Sequence, residues 1–282
     1  MKTYYECIPC FINQALRALP NIDKSLHEAI LRDTLHTLGD IDFEQSPPEL
    51  AREIFDIIER YSGKKDLYAE IKKTSNQYIL DMEDELRELV ANSADPFLTG
   101  LHLAIAGNII DFGAKHDFSD KLIHQEIENA LNVELDAETV NELRQLIDKA
   151  EKILYLGDNA GEIVFDKLFI EQLPREKITF AVRGQHIIND ALMQDAEDVG
   201  ITSMVTVIDN GYNVPGTVLK HSSDEFCEIF NNADLIISKG QGNYETLSNS
   251  ERKIVFLLKI KCEIVARDLN GSVGDFVIKI NK

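Results

Sequence analysis

Apolar residues recur along this chain at two different periods, and the period changes near residue 150. Before that point the spacing is helical. Ser46-Pro47-Pro48-Glu49 carries a capping serine, prolines in the first turn and an early acid, which together predict a helix start. Leu50, Ile54, Ile57 and Ile58 then fall on one face, and Gly63 is placed to end the helix. Asp66 to Asn92 reads as a long, charged, amphipathic helical stretch. Pro96 opens another helix, and its segment GLHLAIAGNIIDFGA is apolar enough to predict burial. Asp136 predicts the cap of a further helix running through Leu143 and Ile147 to Lys149.

After Glu151 the rhythm shortens. KILYLGDN, KITFAVRG, SMVTVIDNG and LIISKGQGN are apolar runs that each end in glycine and polar residues, and KIVFLLKIKC and DFVIKI follow. Between them lie the helical stretches EIVFDKLFIEQL, INDALMQDAEDVG and VLKHSSDEFCEIFNNA. Apolar strands alternating with helices predict an α/β fold, a mostly parallel sheet with helices on both faces. The expected organisation is a helical domain over 1–150 and an α/β domain over 151–282, packed as one body.

Composition narrows the function classes. The 282 residues carry a formal net charge of -20, a surface that repels nucleic acid and anionic membranes, so neither is an expected partner. No uncharged apolar run reaches the roughly 18 residues of a membrane span, and MKTYYECIPC lacks the apolar core of a signal peptide. Four cysteines are too few for a disulfide scaffold, which points to a reducing cytoplasm. A small anionic substrate would also be repelled, so any site that binds one needs local cations. A homo-oligomer remains open.

Ligands of open parallel sheets bind beyond the carboxyl ends of the strands, and four runs end in chemistry-bearing residues there: Asp158-Asn159, Arg183-Gly184, Asp209-Asn210-Gly211 and Lys239 to Asn243. Asp158 and Asn159 offer a carboxylate and an amide oxygen, a donor pair suited to a hard divalent cation; an Asp-Asn turn that only caps the next helix is the plain alternative. Asp190 is a third candidate oxygen ligand or another cap. Lys239, with Asn243 and two glycines in KGQGNYE, could bring a cation and backbone amides to an anion. Lys261 is a second candidate phosphate-binding cation or a solvated surface lysine. Asn108 and Asp111 share one face of an apolar helix and either reach the site or bond to a neighbouring loop. Cys7 and Cys10 have the spacing of zinc and redox pairs, but no second pair completes a tetrahedral set. A half site, a redox dithiol and two packed thiols all stay open. His36, His102, His116, His124, His186 and His221 show no ligand spacing.

Taken together, CIPC near the start, AGNIID at 106–111, GDNAGEIVFD at 157–166, VRGQHIINDA at 182–191, KGQGNYE at 239–245 and LLKIKC at 257–262 make the chain resemble the damage-control phosphatases, the ARMT-like family also called domain of unknown function 89. The cysteine pair is similar to the prokaryotic branch. The resemblance covers nearly the whole chain. It implies a helical domain on a Rossmann-like α/β domain and one divalent metal (manganese, cobalt, nickel or magnesium) held by Asp158, Asn159 and Asp190. It further implies hydrolysis of small phosphate monoesters, including sugar phosphates and damaged phosphometabolites. Carboxyl methyl transfer, attached to one branch, ranks below hydrolysis because no glycine-rich nucleotide fingerprint is present.

On that reading Asp158, Asn159 and Asp190 are the catalytic and metal residues. Lys239, Lys261, Asn243 and Arg183 bind substrate, while Glu162 or Asn108 orients water or substrate. The rival is a protein that holds a metal or phosphometabolite without turnover.

Overall fold

Side-chain alternation along the strands decides how the layers stack. The computed structural model describes residues 1–64, 66–107 and 120–281. Among them, β1 (Ile153–Leu156), β2 (Ile178–Val182), β3 (Thr206–Asp209), β4 (Leu235–Lys239), β5 (Ile254–Lys259) and β6 (Phe276–Ile280) form a sheet in the order β3-β2-β1-β4-β5-β6. The pairs from β3 to β5 are parallel, and β6 closes the edge antiparallel to β5. Ile153 and Tyr155 point into one apolar layer, Leu154 and Leu156 into the other, as a two-residue period requires.

The first layer is covered by α6 (Pro96–Ala106), α7 (Asp120–Leu131), α8 (Ala137–Lys149) and α9 (Glu162–Ile170); the second by α11 (Asp224–Asn232), α12 (Gln241–Leu247) and α13 (Glu263–Leu269). Residues before 150 are helical and the strands come after, yet one core runs across the change: Leu101, Ile105, Leu143 and Ile147 pack with Ile163, Phe169 and Ile237. A separate cluster joins α1 (Ile8–Ala18), α2 (His27–Gly39) and α3 (Pro47–Ser62) through Phe11, Ile30, Ile54 and Phe55, and reaches Ile187 and Ile264 on the sheet side.

The local start and stop signals act as their chemistry dictates. Ser46 and Glu49 form a capping box at α3, and Gly63 ends it with φ 64°. Asp136 accepts the Thr139 N–H at the start of α8. Three segments differ from the sequence expectation. Asp66 to Asn92 splits into α4 (Ala69–Leu80) and α5 (Glu83–Ala91), because the Met82 N–H reaches back to the Ile79 carbonyl and tightens the last turn of α4. INDALMQDAEDVG is helical only in α10 (Met193–Asp198), since Asn189 and Ala191 are hydrogen-bonded to the loop after β1. VLKHSSDEFCEIFNNA becomes α-helical only from Asp224, where Ser223 caps α11 by accepting the Phe226 N–H.

Among the described residues no helix is long and apolar enough to cross a membrane.

Candidate active site

The sheet order reverses between β1 and β4: the chain leaves β1 towards β2 and leaves β4 towards β5. Helices diverge there, and the carboxyl ends of the two strands open a crevice. Gly157-Asp158-Asn159 follows β1, Gly240 follows β4 and Arg183 follows β2. Gly240 has φ 79°, and a Cβ at that position would collide with the Asp158 carboxylate. The end of β4 is therefore glycine so that Asp158 can lie across it.

Two backbone hydrogen bonds clasp the β1 loop to the segment carrying Asp190. The Ala191 N–H donates to the Asp158 carbonyl at 2.8 Å and the Ala160 N–H to the Asn189 carbonyl at 2.9 Å. They frame an isolated antiparallel bridge between Asn159 and Asp190. The structure thus brings Asp158, Asn159 and Asp190 together, although 31 residues separate Asn159 from Asp190 (190 − 159).

Side chains fix the donor set. Arg183 is buried; its Nε donates to Asp190 Oδ2 at 2.7 Å, and its terminal nitrogens reach Asp158 Oδ1 and Thr217 Oγ1, both at 3.5 Å. Asn159 Nδ2 donates to Asp158 Oδ2 at 2.9 Å and to Glu162 Oε2 at 3.0 Å. With its amide hydrogens held by two carboxylates, Asn159 has its amide oxygen left to present as an acceptor.

The centre is short of positive charge. Burial, then Glu162 and Asp190, push the Asp158 carboxyl up to about 7 against the pull of Arg183 and Lys261. Burial and Glu162 also raise Asp190, although Arg183 and Lys72 oppose them. A dication would relieve this repulsion, and two carboxylates plus an amide oxygen match the donors that such an ion takes while keeping water ligands. Among the described residues no three His, Cys, Asp or Glu side chains form a ready ligand cluster. The fit therefore depends on the Asn159 oxygen as third donor.

Above this floor is a cavity of about 350 Å³. Gln241, Glu245 and Lys261 line its polar side, and Cys7, Phe11, Pro47 and Ala51 from the amino-terminal helices line the other. Lys261 is exposed, and its backbone N–H donates to Gln241 Oε1 at 2.9 Å. Burial raises Glu245 to about 7.

Four substrate-binding assignments are corrected. Lys239 is fully buried, with Nζ donating to the Ala104 carbonyl, Glu162 Oε1 and Asp166 Oδ1 at 2.7, 2.8 and 2.5 Å. All three ammonium hydrogens are used, so none is left for phosphate. Asn243 is equally buried; it donates to the Lys239 carbonyl and accepts the Thr217 hydroxyl. Glu162 stands behind Asn159, with one oxygen on Lys239 and the other on Asn159. Arg183 orients the two aspartates instead of facing the cavity. Lys261 does line the cavity, while Asn108 and Asp111 lie outside the described residues.

The Asp209-Asn210-Gly211 ending is a structural turn, in which Asn210 Oδ1 accepts the Gly184 and Tyr212 N–H groups. Cys7, Cys10 and Cys262 all line the cavity, and burial raises the Cys7 and Cys10 thiols. Raised thiols disfavour thiolate chemistry; Cys7 packs in the amino-terminal core, while Cys10 is exposed. Asn76 escaped the sequence reading. From α4 it accepts the Gly161 N–H at 2.6 Å and donates to Asp195 at 2.8 Å, tying the helical part to the site loop. Nothing local marks it, because both partners are distant in sequence.

Against known proteins, the family model described as the damage-control phosphatase ARMT1-like domain matches residues 3–277. A damage-control phosphatase of Pyrococcus horikoshii is 36% identical over 291 residues, covering 100% of this chain and 99% of that protein. An uncharacterised protein of Methanocaldococcus jannaschii is 35% identical over 294 residues, with 99% and 95% covered. A damage-control phosphatase of Archaeoglobus fulgidus is 36% identical over 239 residues, with 81% and 79% covered. The crystal structure of a DUF89 family protein from Pyrococcus horikoshii superposes with a TM-score of 0.88 at 34% identity, covering 100% of both chains.

Proposed function

This chain belongs to the damage-control phosphatase ARMT1-like family, and on that premise we propose that it is a metal-dependent hydrolase of small phosphate monoesters, such as sugar phosphates or damaged phosphometabolites. One observation carries the metal: Asp158, Asn159 and Asp190 meet on the floor of a cavity where buried carboxylates outnumber the fixed cation Arg183. These three residues are the proposed holders. A dication held there would supply charge neutralisation of the phosphoryl oxygens and a more acidic water.

The chain's own residues do the rest. Arg183 fixes the directions of Asp158 and Asp190 from behind, and Glu162 keeps the Asn159 amide turned so that its oxygen is available. Lys261 draws the phosphate of an anionic ester into a strongly acidic molecule. The amino-terminal helices form one wall of the cavity.

The test is hydrolysis of p-nitrophenyl phosphate by metal-stripped protein titrated with manganese, cobalt, nickel or magnesium. Turnover is expected to depend on the added ion and to vanish in Asp158→Ala, with the circular dichroism spectrum unchanged. Full activity in that variant, or in chelated protein, would falsify the assignment.

A further inference from the structure

A second cavity, of about 280 Å³, adjoins the first. Cys10, Gln14, Ile188 and Asn189 line both, so together they form one cleft with two compartments. The first ends on the carboxylate floor. The second runs along α1 to Arg17, Asn21 and Tyr68.

Charge distinguishes this far end. In a chain with net charge -20, two cations gather here. Arg17 lines the cavity, is exposed and has no carboxylate partner among the described residues. Lys64 donates to the Asn21 carbonyl at 3.3 Å. Asn13 and Asn189 add amide groups to the lining. Arg17 stands seven residues beyond Cys10 on α1, roughly 10 Å further along the helix axis.

Ile188 supplies an independent sign that the partition matters. The Asp190 N–H donates to the Ile187 carbonyl, closing a tight turn around Ile188 and Asn189. Ile188 has φ 44°, a left-handed conformation that disfavours β-branched residues and that such turns usually give to glycine. The strain persists where the side chain forms the wall shared by both compartments, and strained residues of this kind concentrate at ligand clamps.

We propose that the second compartment receives the non-reacting end of the substrate, and that this end carries an anionic group bound by Arg17. This rests on the phosphatase reading above and narrows its substrate class to elongated esters, with phosphate at one end and a carboxylate or second acid group at the other. Ile188 acts as a specificity-determining wall at the waist of the cleft. Its side chain guides the linking segment and holds the Asn189-Asp190 turn.

Calorimetric binding of 8-phosphooxyoctanoate and its methyl ester to the full chain tests this, because the two differ only in the distal charge. The wild-type protein is expected to bind the acid about tenfold more tightly than the ester. Arg17→Gln should erase that preference, leaving ester affinity and melting temperature unchanged. Equal affinity of the wild type for both probes, or a preference that survives Arg17→Gln, overturns the proposal alone. Binding of neither probe overturns it together with the phosphatase reading. Ile188→Gly is expected to melt above Ile188→Ala, the reverse of the ordinary ranking, because only glycine relieves the φ. A higher melting temperature for Ile188→Ala removes Ile188 from the scheme.

Discussion

Two groups of buried charge lie on either side of Glu162, and they have opposite fates. Behind it, Lys239 is enclosed by Glu162, Asp166 and the Ala104 carbonyl, with the Tyr155 hydroxyl donating to Asp166 Oδ1. In front of it, Arg183 holds Asp158 and Asp190 beside an open cavity. Both groups join acids to one cation. The first uses every hydrogen of its ammonium and excludes solvent, so it is architecture. The second leaves carboxylate and amide oxygens at a cavity wall, so it has capacity for a ligand. Solvent access and unspent donor atoms separate a structural ion cluster from a reactive one; residue type does not.

Removing the cation behind Glu162 gives the largest expected effect. Lys239→Met removes the buried ammonium that Glu162 and Asp166 share, which should cost about 3–5 kcal/mol in denaturant unfolding. The contrasting change in front is Asp158→Asn. It removes a carboxylate that its surroundings already raise to about 7, so the metal-free protein should be as stable as wild type or more so at pH 8. Turnover should nevertheless fall by about a hundredfold or more. If Asp158→Asn instead unfolds the protein and Lys239→Met does not, the two regions have been assigned the wrong way round.

This contrast marks what the sequence could reveal. The strand–helix alternation, the capping box at Ser46 and Glu49 and the stop at Gly63 are local signals, and local chemistry reads them correctly. The convergence of Asp158, Asn159 and Asp190 was also legible, because strand endings in a parallel sheet share one edge. Lys239 was misread for a physical reason. A lysine beside glycines at a strand end looks the same whether its side chain turns outward to an anion or inward to Asp166 and Glu162. The inward acceptors sit on α9, more than 70 residues away in sequence (239 − 166 = 73). Asn76 and Arg17 were invisible for the same reason: their meaning depends on which distant loop or cavity they face.

A smaller effect follows from the pH dependence of stability in metal-free protein. Asp166 is raised to about 6 from 3.8, by burial and by Glu162 with Lys239 opposing, and Asp158 to about 7. A carboxyl whose folded value lies above its unfolded one binds more protons when folded. Stability therefore rises as pH falls through the folded value and levels off below the unfolded one. The protein should resist urea better at pH 5 than at pH 8, by on the order of 1 kcal/mol for Asp166 alone. Asp166→Asn should flatten that part of the profile. A wild-type profile that falls steadily from pH 8 to pH 5 contradicts the burial of uncompensated acid on both sides of Glu162.

The smallest effect belongs to the cavity rim. Lys261 is exposed, and among the described residues its hydrogen bond runs from the backbone N–H to Gln241, so replacing its side chain should leave the melting temperature unchanged. Its charge is still the rim's counterweight to Asp158 and Glu245. Lys261→Ala should therefore raise KM for a phosphate ester about tenfold with little change in kcat, the pattern of a group that attracts the substrate without acting on the reacting bond. Lys261→Arg should restore most of the loss. Added salt should raise the wild-type KM towards that of the alanine variant, since an exposed cation acts through a screened field. A fall in kcat at constant KM would instead move Lys261 into the reacting centre, and the boundary between the rim and the floor would have to be redrawn.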